Sequence, residues 1–69
     1  MNIEDRIYKA EEQFFLDEVR SATFLIMSFN AFAELMESLG GDPTLGKSSY
    51  EGLIISITEH PSITDFVLA

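Results

Sequence analysis

Leu53-Ile54-Ile55-Ser56-Ile57-Thr58 is the stretch on which the fold turns. Four of its six residues are β-branched, and such side chains suit a pleated strand. The flanks point the other way. Ser48 and Glu51 stand three apart, the spacing of a helix capping box, and Pro61 supplies a stop. A lone strand finds nothing to pair with, so its neighbours decide the matter. They read as helix, and the expectation is a helix from Ser48 to about Glu59 or His60.

Working back towards the N-terminus, residues 2 to about 39 carry helical periodicity. Ile3, Ile7, Ala10 and Phe14 fall on one stripe at four- and three-residue steps. Ala22, Leu25, Phe29, Phe32, Met36 and Leu39 repeat the rule in a shifted frame. The shift lies around Asp17 to Ser21 and marks either a break between two helices or a change of winding in one. Gly40-Gly41-Asp42-Pro43 then stops the helix, glycine taking the left-handed cap and proline forbidding continuation. Ser62 and Asp65 repeat the cap spacing and suggest a last short turn to Leu68.

The fold class expected is therefore all-α. It is one small domain over residues 1–69, with a long N-terminal helix or helical hairpin followed by one or two short helices. Phe24-Leu25-Ile26-Met27 is apolar on every side of a helix and needs cover on several faces. A chain of 69 residues has little to spare, so a homodimer is expected, with Phe24, Phe29, Phe32 and Met36 near its centre.

Twelve acidic residues face four basic ones, a net charge of −8, while 46% of the chain is hydrophobic. A disordered acidic tail is poor in apolar residues; this chain folds and carries a strong negative field. That field repels nucleic acid and anionic lipid and favours basic protein surfaces. There is no cysteine and one histidine, which excludes disulfides and thiolate metal sites and argues against a zinc site. Neither metal nor cofactor is expected. Glu4, Asp5, Glu11, Glu12, Asp17 and Glu18 occupy the region where a secretory signal needs basic and then apolar residues. Ala22 to Ala33 is too short to span a bilayer, and a cytoplasmic location is expected.

Gly41-Asp42-Pro43-Thr44-Leu45-Gly46-Lys47-Ser48 matches the phosphate-binding loop GxxxxGK[ST] letter for letter. That chemistry needs a strand before the loop, a helix after it and a distant metal-binding Asp. Here the preceding segment reads as helix and the chain is too short for the parent fold, so the match is read as coincidence. A weaker version keeps Lys47, Ser48 and Ser49 at a helix start as a holder of one anion.

Glu4, Glu11 and Glu18 recur every seven residues, as do Asp5 and Glu12, so a helix carries them in rows. Such rows imitate the spaced phosphates of nucleic acid, or simply form a solvated face. The overall charge favours binding, with Glu4, Glu11, Glu12, Asp17 and Glu18 as partner-binding candidates. His60 reads as a cation at a helix C-terminus. No spacing ties a serine to His60 for nucleophilic catalysis, and no enzyme activity is expected. The six Phe residues read as core rather than a base-stacking platform, since basic residues are scarce.

Thr58-Glu59-His60-Pro61-Ser62, followed by Asp65, resembles the turn after the second helix of the small acidic immunity proteins of colicin-type nucleases. The resemblance implies a helical inhibitor whose acidic helix binds a basic enzyme. The tyrosine pair of those proteins is absent here and no final helix follows, so no site residue is carried over.

The function expected is that of a non-enzymatic inhibitor, docking an acidic face on a basic surface of a larger, nucleic-acid-handling protein. Acidic inhibitors from phages and mobile elements, anti-CRISPR proteins among them, share this character. The alternative is a small assembly subunit that works by self-association.

Overall fold

The computed structural model describes residues 2–41 and 48–69. Its elements run α1 (Ile3–Glu18), β1 (Phe24–Met27), α2 (Phe29–Ser38), β2 (Ser49–Tyr50), β3 (Leu53–Ile57) and β4 (Phe66–Leu68). Two helices and a four-stranded mixed sheet make an α/β fold, which overturns the all-α expectation.

The long N-terminal helix ends at Glu18. Val19 takes a left-handed conformation (φ 55°), and its N–H still reaches Phe15 O at 2.9 Å. After that break Phe24–Met27 is a strand, not a helix apolar on all sides. It is the second strand in from one edge of the sheet, whose order is β2-β3-β1-β4. β1 runs parallel to β3, with Leu25 opposite Ile55, and antiparallel to β4, with Leu25 opposite Leu68. Its two neighbours supply the hydrogen bonds a lone strand lacks, and burial alternates along it, with Leu25 and Met27 in the core and Phe24 exposed on the other face.

Leu53–Ile57 is likewise a strand. The lone-strand argument fails because β3 has two strands to pair with, β1 in parallel and β2 antiparallel. Glu51, expected to close a capping box, sits instead at φ 49° beside Gly52 at φ 82°, forming the two-residue turn between β2 and β3. Positive φ at both central residues is what a tight hairpin demands. The last segment is β4 rather than a helical turn. His60 lies in the loop between β3 and β4 and not at a helix end. Its Nδ1 accepts from Ser62 N at 3.2 Å. That same loop carries the immunity-protein resemblance, so the helical fold it implies is not found.

Both helices pack on one face of the sheet. Ile3 and Ile7 meet Leu25, Met27, Ala31, Phe32, Leu35, Met36 and Leu53 in one buried cluster, with no buried polar side chain among the described residues. Ala10 and Phe14 complete the α1 stripe half-buried, as its periodicity predicts. The second stripe does not survive intact: Phe29, at the first position of α2, is 61% exposed. Asn2 and Ser28 cap the two helices by accepting from the Asp5 and Ala31 N–H groups. α2 ends as its glycines predict. Gly40 N–H reaches Glu37 O and Gly41 N–H reaches Met36 O, the paired bonds of a Schellman cap, with Gly40 at φ 76°.

Candidate functional site: the outer face of α1

Because Ile3, Ile7, Ala10 and Phe14 turn α1 towards the sheet, residues roughly half a turn away face solvent. The charged residues Asp5, Lys9 and Glu12 are exposed there, but large apolar side chains stand among them. Tyr8, Phe15, Leu16 and Val19 are all exposed, Leu16 by 72% and Val19 by 82%. Tyr8, Phe15 and Leu16, with Glu11, Glu12 and Ser21, line an open hollow of about 520 Å³. An apolar centre between carboxylates is the general form of a protein-docking patch.

Val19 adds a second anomaly. A β-branched residue disfavours positive φ, and holding one there costs on the order of 1–3 kcal/mol. Here that conformation carries an apolar side chain almost wholly in water, so neither packing nor backbone preference accounts for the choice.

The five candidate carboxylates do not form one surface. Glu12 is exposed within the apolar stripe. Glu4 is tied inward: it accepts from Ser38 Oγ at 2.6 Å, and Tyr50 Oη lies 3.4 Å from it. Burial and the neighbouring Glu4 carboxylate push the Tyr50 phenol up, so it stays a donor. Glu11 is half-buried, and burial, followed by the charge of Glu51, raises its carboxyl from its ordinary value. Glu18 is exposed. Asp17 lies on the flank towards β4, accepting from Gln13 Nε2 at 2.9 Å. The heptad row thus leads partly into the fold, and only part of it meets solvent.

Of the proposed self-association residues, Phe32 and Met36 belong to the chain's own core. Phe24 is exposed on the uncovered face of the sheet, beside Ile54, its partner in the β1–β3 register, and near Val67. Phe29 is exposed at the start of α2.

The phosphate-loop match fails on its described flanks. Helix α2 precedes Gly41, and strand β2, not a helix, begins at Ser49. The same observation removes the helix start proposed to hold an anion; residues 42–47, with Lys47, lie outside the described residues. Among the described residues no group of three His, Asp or Glu side chains is placed to hold a metal ion, and no helix is long and apolar enough to cross a membrane.

No protein family, curated protein or solved structure matches this chain.

Proposed function

We propose that the chain is a non-enzymatic binding protein that inhibits a larger, basic, nucleic-acid-handling protein by docking the outer face of α1 on it. The observation that carries this reading is the exposed Tyr8-Phe15-Leu16-Val19 stripe set among Glu11, Glu12 and Glu18. The apolar centre supplies the anchor, and the net charge of −8 draws in a basic partner. Nucleic-acid mimicry here resides in the field of the whole chain, because Glu4 and Glu11 are partly engaged within it. Such a target is met in the cytosol, where we place the chain; inhibitors of this class are carried by phages and mobile elements.

The test is an affinity capture with wild-type bait and with a Leu16→Asp, Val19→Asp bait, at low and high salt. A basic protein held by the wild type, released by salt and missed by the variant supports the reading. Identical capture by both baits overturns it.

A second reading, an assembly subunit, rests on the uncovered sheet face bearing Phe24, Ile54 and Val67. Sedimentation of the wild type against Ile54→Lys separates the two. A dimer lost in the variant favours assembly.

A further inference from the structure

β4 is an edge strand, and its hydrogen bonds show which groups it leaves over. Phe24 and Ala69 exchange both bonds, with Phe24 N–H reaching Ala69 O at 2.9 Å and Ala69 N–H reaching Phe24 O at 3.0 Å; Ser28 N–H reaches Asp65 O at 2.9 Å. In an antiparallel ladder the alternation then turns residues 65, 67 and 69 towards β1 and residues 66 and 68 away from it. No turn, loop or cap hydrogen bond among the described residues reaches the main-chain N–H or C=O of Phe66 or Leu68, which the ladder alternation turns outward. Among the described residues these four groups face no strand. They border a groove of about 360 Å³ between β4 and α1, where Ala10 and Phe14 form the apolar wall and Gln13 and Asp17 the rim.

We propose that this groove takes an extended segment of a basic partner as a fifth strand beside β4. An added strand satisfies the main-chain groups of Phe66 and Leu68. Its residues opposite those two point to the helix side, against Phe14 and Ala10, while the one between points to the open sheet face. The occupant is thus an apolar-x-apolar segment with basic flanks: Arg20 stacks on the Phe14 ring at 4.9 Å, but Asp17 and the net charge of −8 outweigh that one cation. A second copy fits poorly: pairing β4 with its own copy brings two chains of −8, each with Asp17 at the seam, against each other. The inference rests on the proposed function only for the basic character of the partner.

The probe is a capped peptide, Lys-Val-Thr-Val-Thr-Val-Lys, titrated into the full chain and followed by amide hydrogen exchange in NMR. At saturation, exchange at Phe66 and Leu68 slows about tenfold or more, equivalent to about 1.4 kcal/mol of protection. A peptide N-methylated at alternate residues gives no slowing, a version with Glu for both Lys binds more weakly, and Ala10→Phe, which fills the groove, weakens binding about fivefold. No slowing at any peptide concentration overturns the proposal. So does protection that grows with protein concentration alone, which assigns the edge to a second copy. Shifts confined to Tyr8, Phe15 and Leu16 also overturn it while leaving the α1 docking face standing.

Discussion

Arg6 and Asp65 meet at 2.5 Å, joining the first turns of α1 to the entry of β4 across 59 residues of chain. The same guanidinium reaches Glu34 of α2 at 2.7 Å, so one side chain ties three segments together. All three side chains keep partial access to solvent, which keeps the contribution small. Arg6→Ala is expected to cost about 1 kcal/mol, and raising the salt should shrink the difference. Urea unfolding at two ionic strengths measures both; a loss above about 3 kcal/mol contradicts the picture of a solvated pair.

Leu25 and Phe24 are neighbours on β1 with opposite fates. Leu25 is wholly buried and Phe24 is 42% exposed. Leu25→Ala should destabilise by about 2–5 kcal/mol, enough to unfold much of a domain this small. Phe24→Ser should change stability far less. Equal losses in thermal unfolding argue that the sheet's second face is covered.

Val19→Gly removes a β-branched side chain from a left-handed backbone. It should raise stability by about 1 kcal/mol. Under the proposed function it also weakens partner binding. A thermal midpoint that falls instead refutes the strain argument at this position.

Glu11 supplies a pH dependence. Its folded pKa lies above the unfolded value, first through burial and then through Glu51. The fold therefore binds this proton more tightly than the unfolded chain does. The ionised form disfavours folding, and this residue's effect on stability worsens as pH rises through the carboxylate range. Glu11→Gln should stabilise the chain at pH 7, with the advantage fading as the pH drops below the ordinary carboxylate range. An advantage of constant size across pH 3 to 7 contradicts the assignment.

The stripe of α1 and the glycine cap of α2 were legible because both are local: Ile3, Ile7 and Phe14 need only helical geometry, and Gly40 only its own φ. The sheet was not. Phe24–Met27 shows no period in four apolar residues and suits a buried helix as well as a flanked strand; its partners Ile55 and Leu68 lie thirty and forty-three positions away. Reading β1 as helix removed the neighbour of β3, and a lone-strand argument then made β3 helical too. At the candidate site, the carboxylate spacing was visible but not its direction, which Ser38 and Tyr50 settle for Glu4. Tyr8, Phe15, Leu16 and Val19 are legible as the face opposite Ile3 and Ile7, but Asp5, Lys9 and Glu12 interleave with them and break the apolar pattern in the sequence.

Every strand that pairs with β1 follows it in the chain. During synthesis, Phe24–Met27 therefore leaves the ribosome as an unpaired apolar strand between two helices, and it stays so until residues 53–68 emerge. Until then both edges of this apolar segment lack the strands that pair with them in the fold. The acidic residues of α1 are made before it, so the nascent chain already carries the like charge that keeps one copy from adhering to the next.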